Sequence, residues 1–216
     1  MAIKPILFNT EMVRAILDGR KTVTRRICKD ANEFTVPDMS FYDSEKRTYA
    51  VHNFADKEHT DQLSIAERTC PICPGDILYV RETWHKYKKR VGKGEGCHIA
   101  EFYGYRASIA NSEDANEPWH PSIHMPKEAA RIWLKVKDVR VERLHEITEV
   151  GIQKEGVEVD PKECAGKFDF ISELFLLFQR LWDSTIKKSD RDRYGWNASP
   201  WVWVIEFERC EKTEEI

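Results

Sequence analysis

The 216 residues carry 34 lysines and arginines against 37 aspartates and glutamates, a net charge of −3. With 41% hydrophobic and 33% charged residues, this composition excludes a disordered chain and a polycation that would coat nucleic acid over its whole surface. No apolar run approaches the roughly 20 residues of a membrane span, and Met1-Ala2-Ile3-Lys4-Pro5 lacks the apolar core of a signal peptide. A single cytoplasmic domain over 1–216 is expected, in which six cysteines force no disulfide framework.

Lys4 to Phe8 reads as a short strand. Asn9 or Thr10 can cap a helix whose apolar stripe is Met12, Val13, Ile16 and Leu17, and Gly19 stands where a C′ glycine ends one. Lys21 to Ile27 is rich in β-branched residues and suits a strand. Residues 29–72 are polar with no sustained period and read as an insertion or lid. Pro74-Gly75-Asp76 is a turn that launches a strand from Ile77 to Trp84. In it, Glu82 shares a largely apolar face with Leu78, Val80 and Trp84.

A basic, glycine-containing loop is expected at 86–96, a strand at His98 to Arg106, and a turn-rich stretch from Asn111 to Pro126, so that 86–126 forms a second insertion. Arg131 to Leu144 alternates as a strand with a slip of phase at Lys137-Asp138. Thr148 can cap a short helix closed by Gly156. Phe168 to Trp182 is the strongest helical pattern, and Pro200 to Arg209 a closing strand. Several strands, few helices and long loops predict an α+β or mostly-β, barrel-like fold.

The segment Gly19-Arg20-Lys21-Thr22-Val23-Thr24-Arg25-Arg26 concentrates four cations and two hydroxyls where a helix hands over to a strand. Three readings compete. Lys21, Arg25 and Arg26 can grip phosphates with Thr24 donating a hydrogen bond. Lys21 and Thr24 can form an activated base and nucleophile. Or the cations deter pairing on a solvated edge strand, the reading composition alone puts first.

Gly19-Arg20-Lys21-Thr22-x-Thr24-x-Arg26, the Pro74-Gly75-Asp76 turn and Thr148-Glu149…Glu155-Gly156 together resemble the ASCH domain family of the PUA-like superfamily. The fuller pattern is similar to the long ASCH proteins of bacteriophages and prophages. It adds Lys4-Pro5-Ile6-Leu7-Phe8-Asn9, Val80-Arg81-Glu82-Thr83-Trp84, Pro121-Ser122-Ile123-His124-Met125-Pro126 and Gly195-Trp196…Trp201-Val202-Trp203, and it covers nearly the whole chain.

The resemblance implies a PUA-like, barrel-like core with a cleft that binds RNA or modified nucleobases. Small bacterial members that deacetylate N4-acetylcytidine use a Lys, a Thr and a Glu, which fall by motif on Lys21, Thr24 and Glu155. This chain is longer than those enzymes, its insertions lying near 29–72 and 86–126.

Under the catalytic reading, Thr24 attacks an amide carbonyl, Lys21 takes its proton and Glu155 protonates the departing amine. A lysine of ordinary pKa, about 10.4, is charged at pH 7, and lowering it to about 7 costs roughly 4–5 kcal/mol. Burial beside Arg20, Arg25 and Arg26 acts in the needed direction; a nearby carboxylate opposes it. The expected partner is RNA or a modified nucleoside, bound by Arg20, Arg25, Arg26, Arg81, Glu82 and Trp84. The expected function is binding of RNA or a modified nucleobase in the cleft, with hydrolysis of an N4-acylcytidine amide as its candidate activity; binding without turnover and ribonuclease activity are the alternatives.

Glu82 can read a base edge or form an ion pair with a neighbouring arginine such as Arg26. Trp84 can stack on a base, although a strand tryptophan is more often core. Cys70-Pro71-Ile72-Cys73 has the spacing of half a zinc site and lacks a second CxxC, so reduced structural thiols are expected. There is no Walker, dinucleotide or HExxH motif, and no cofactor or metal is expected.

Overall fold

The computed structural model describes residues 1–29, 35–54, 63–93, 97–108, 118–159 and 170–212. The chain runs β1 (Ile3–Leu7), α1 (Thr10–Leu17), β2 (Val23–Ile27), β3 (Thr35–Asp43), β4 (Thr48–Phe54), β5 (Leu63–Thr69), β6 (Ile77–Arg81) and β7 (Trp84–Val91). It continues with β8 (His98–Tyr105), β9 (Trp133–Arg143), α2 (Glu149–Lys154), α3 (Phe170–Thr185) and β10 (Trp201–Cys210). The local signals act as chemistry requires. Asn9 accepts from the Met12 amide at the start of α1, Thr148 accepts from the Gly151 amide at the start of α2, and Gly19 and Gly156 follow the two helices at φ +78° and +85°.

Two expected loops are sheet. Within 29–72, β3, β4 and β5 form a three-stranded antiparallel sheet. Its period was hidden because β3 and β4 slip register between Asp38 and Asp43, and because Tyr49, Ala50 and Val51 are buried in succession instead of alternately. The basic run at 86–90 belongs to β7, which pairs with β8 from Trp84↔Tyr105 to Val91↔His98. Cations on both faces left no alternation to read. The Phe168 start of the long helix and the stretch from Asn111 to residue 117 lie outside the described residues, as do parts of both insertions.

The residues group into two units. The first comprises Met1–Gly19, Asp76–Lys135 and Glu208–Ile216. Here β1 runs parallel to β6, and β6 pairs antiparallel with the start of β9. The core holds Ile77, Met125, Ala129, Ala130 and Trp133, with Trp84, Tyr103 and Tyr105 packed against it. Asp76 is fully buried at the turn, accepting from the Ala2 amide at 2.9 Å and pairing with Lys4 at 3.6 Å.

The second unit comprises Arg20–Gly75 and Val136–Phe207. Its principal strands lie in the order β9, β10, β2, with β10 antiparallel to β2. In β9 the two adjacent residues Lys137 and Asp138 are both exposed between buried Val136 and Val139, at the slip of phase the sequence marks. Val23, Val202 and Val204 meet Ile152 of α2 and Leu174, Phe178 and Trp182 of α3, the last three at the i, i+4, i+8 spacing of one helix stripe. Each such burial contributes about 1.5–3 kcal/mol against unfolding.

The protein is thus mixed α and β, mostly sheet with a few short helices. In place of the expected barrel-like core, no closed barrel forms among the described residues: β1-β6-β9 and β9-β10-β2 are runs of an open sheet. No described helix is long and apolar enough to cross a membrane.

Candidate functional site

Segment 20–22 runs against the end of α2 in reverse order. Thr22 N donates to Lys154 O at 2.9 Å, Lys21 Nζ to Glu155 O at 2.9 Å, and Arg20 Nη1 to Gly156 O at 3.1 Å. The last carbonyls of a helix have no partner within it and carry its partial negative charge, so two cations and an amide are their natural complement. This pairing brings Lys21 to Glu155 across 134 positions of sequence.

The Lys21 ammonium meets Glu155 Oε2 at 2.5 Å and also donates to Val23 O at 2.9 Å. Arg25 Nη1 approaches Glu155 Oε1 at 3.3 Å, and Arg25 Nη2 approaches Glu142 Oε2 at 3.5 Å. Lys21 is 2% exposed and Glu155 4%. Three acceptors around one buried nitrogen match the three donors of an ammonium. Burial nonetheless holds Lys21 below the ordinary lysine pKa. Glu155 opposes that shift, and the charges of Arg26 and Arg25 add to it.

Alternation along β2 divides the remaining predicted residues. Val23 and Arg25 share the side that carries α2 and Glu155, whereas Thr24 and Arg26 share the other. Opposite them on β10 stand Ile205 and Trp203. That side opens into a cleft of about 370 Å³ lined by Arg26, Lys29, Ile72, Val139, Trp203 and Ile205. Tyr49 braces Trp203 edge-on at 4.8 Å. An indole wall, aliphatic neighbours and two cations suit a flat ring bearing an anionic group. Thr24 is 2% exposed, and Arg26 is half-buried; burial pulls its guanidinium below the ordinary arginine range, and the Glu155 charge opposes that shift.

Arg81, Glu82 and Trp84 belong to the other unit. Glu82 forms a two-pronged pair with Arg131, Nε to Oε1 at 2.8 Å and Nη2 to Oε2 at 3.0 Å, and the guanidinium lies 4.1 Å over the Tyr105 ring. Its partner is therefore Arg131 and not Arg26. Arg81 donates to the carbonyls of Met125 and Ile123, holding the Pro121–Pro126 segment. Trp84 packs on the core beside Tyr103 and His120, as a strand tryptophan usually does. Glu142 and Arg131 were not singled out in the sequence; neither has a motif, and only the fold sets their partners.

Cys70 and Cys73 are fully buried, and Cys70 Sγ donates to Ile72 O at 2.8 Å. Burial pushes the Cys70 thiol up to about 12. No cluster of three or more metal-ligating side chains occurs among the described residues. Comparison with protein-family models, with curated proteins and with solved structures gives no significant match to this chain.

Proposed function

We propose that this chain is an ASCH-type protein of the PUA-like superfamily that binds a modified nucleobase or nucleoside, free or within RNA, and hydrolyses an N4-acylcytidine amide with Lys21, Thr24 and Glu155. The observation that carries the reading is the buried 2.5 Å contact between Lys21 and Glu155. Residues matched to the lysine and glutamate of one motif, remote in sequence, touch with little access to water. The third, Thr24, is buried on the opposite side of β2 from Arg25 and α2, so the reading requires its hydroxyl to meet Lys21 from across the strand.

The contact eases the protonation problem. Moving one proton from Lys21 Nζ to Glu155 Oε2 leaves the net charge of the pair unchanged and yields a neutral amine beside a neutral acid. Desolvation favours that neutral form over the ion pair. Thr24 Oγ1 then attacks the acyl carbon as Lys21 takes its proton. Glu155 gives its proton to N4 as the C–N bond breaks, releasing cytidine. Water, losing a proton to Glu155, next attacks the Thr24 ester as Lys21 returns its proton to Thr24 Oγ1. The acid formed leaves as carboxylate with its proton passing to solvent, and proton transfer from Glu155 to Lys21 restores the ion pair.

A second reading, binding without turnover, draws on the three acceptors that surround Lys21 Nζ, which hold it as an ammonium. Incubation with N4-acetylcytidine, followed by chromatography for cytidine and acetate, separates the two. Hydrolysis requires release by wild type and its loss in Lys21→Met and Thr24→Val. Saturable nucleoside binding with no release supports the binding reading. Neither release nor binding of free nucleoside or RNA sinks both.

A further inference from the structure

Strands β7 and β8 pair with each other and, among the described residues, with the rest of the protein only through the bridge of Trp84 to His120. Trp84, Tyr103 and Tyr105 root this hairpin in a core. Beyond the root its composition changes. Lys86, Lys88, Lys89, Arg90 and Lys93 are all exposed, against one carboxylate on the paired strands, Glu101, which Lys86 and Lys88 share. Lys89, Arg90 and Lys93 have no acidic partner among the described residues.

One face of the hairpin is a row of rings. His85 lies 4.5 Å from Trp119, Tyr87 stacks on His85 at 5.3 Å and 21°, and Phe102 stacks on Tyr87 at 5.8 Å and 28°. His85 is 4% exposed and both its ring nitrogens lack a hydrogen-bond partner, so it serves the row as a flat surface. Glycine opposite it makes this fit: a Cβ at Gly104 would lie 1.9 Å from His85 Nε2. The row emerges at Phe102, 37% exposed, and Lys89 and His98 continue the same face.

An aromatic row that ends among cations presents flat ring faces and positive charge side by side. It suits a strand of alternating bases and phosphates. We infer that the β7–β8 hairpin is a binding platform for single-stranded RNA, on which bases stack along Tyr87 and Phe102 while Lys89, on the same face, and Lys93, beyond the end of β7, hold the phosphates. The inference rests on the nucleobase-binding reading above for its ligand class, but uses none of the Lys21 cluster.

The test is fluorescence anisotropy of the full chain with a labelled single-stranded oligouridine across a salt series, with an RNA duplex and polyglutamate as competitors. Wild type should bind the single strand, and each competitor should displace it poorly. The double variant K89E/K93E should bind at least about tenfold more weakly, with a slope of log K against log salt shallower by about 1.4, since each phosphate contact contributes about 0.7. Tyr87→Ala and Phe102→Ala should each weaken binding about fivefold or more with the slope unchanged. Equal competition by duplex or polyglutamate overturns the proposal, as does oligouridine binding that all these folded variants retain. Turnover of free N4-acetylcytidine by wild type, read separately, scores the Lys21 reading, so the two can fail independently.

Discussion

Lys21 and Glu155 are held together by main chain as well as by charge. The lysine ammonium bonds both the Glu155 carboxylate, at 2.5 Å, and the carbonyl of the same residue, at 2.9 Å. A side chain that grips two groups of one residue fixes that residue's rotamer as well as its position. Arg25 takes the other carboxylate oxygen, so one buried anion serves two buried cations.

That sharing makes the two residues unequal in stability. Glu155→Gln leaves Lys21 buried without a carboxylate and Arg25 with only Glu142, and should cost about 3–5 kcal/mol. Lys21→Met replaces the cation with an apolar chain of similar length and leaves Glu155 paired to Arg25, so its cost should be smaller. Urea denaturation of both variants measures the difference; equal losses would mean that Arg25 does not hold Glu155.

Lys21 gives up its proton more readily in the folded protein than in the unfolded chain, because burial outweighs the pull of Glu155. The folded state therefore binds fewer protons than the unfolded state between the lowered value and 10.5. The contribution of this group to stability rises with pH through that window and levels off above it. Under the hydrolase reading the pair must keep the one proton that passes from Lys21 to Glu155 and on to N4, so kcat/KM should fall as pH rises through the lowered Lys21 value, its midpoint below the ordinary lysine value. A rate that stays flat or climbs through that window would remove the proton transfer from Lys21 to Glu155.

The Glu82–Arg131 pair depends on a planar fork. Arg131→Ala strands a carboxylate that is 1% exposed and should cost about 2–3 kcal/mol, at the lower end for a buried pair because Arg131 itself reaches solvent. Arg131→Lys keeps the charge but loses the second prong and the contact with Tyr105, so it should recover only part of that stability. Full recovery would show that charge alone matters here.

Legibility in the sequence followed the physics of each element. Caps, helix stripes and the strands β1, β2, β6 and β10 were readable because their determinants are local: Asn9, Thr148 and Gly19 act within a turn, and Leu174, Phe178 and Trp182 recur at one spacing. The β3–β5 sheet was not, since burial on both sides of β4 and a bulge erase the period of two. At the site, the resemblance named Lys21, Thr24 and Glu155. No local pattern reveals that Glu142 and Arg131 complete ion pairs, or that Trp203 faces the side of Thr24. Those facts are set by register and by the reversed run of 20–22 along the end of α2.

Cysteine reactivity should split by environment. Cys97 is exposed, whereas Cys28, Cys70 and Cys73 are buried, and Cys70 ionises only near pH 12. Because the thiolate is the reactive form, brief alkylation at pH 8 should label the Cys97 peptide and leave the other three unmodified until the protein is unfolded. Mass spectrometry of the digested protein checks this; rapid labelling of Cys70 would show that the 70–73 turn opens in the native state.

Two helix caps of similar worth offer a test of how Glu155 is positioned. The Thr148 hydroxyl accepts from the Gly151 amide at 3.1 Å, and the Asn9 side chain accepts from the Met12 amide at 2.8 Å. Replacing either by alanine should cost about 1 kcal/mol. Only Thr148 starts the helix whose end presents Glu155 to Lys21, while Asn9 lies in the other unit. Under the hydrolase reading, Thr148→Ala should therefore lower N4-acetylcytidine turnover by more than Asn9→Ala at matched loss of stability. If the two variants lose activity in equal proportion to stability, α2 does not position Glu155, and the reversed pairing with Arg20, Lys21 and Thr22 alone holds it in place.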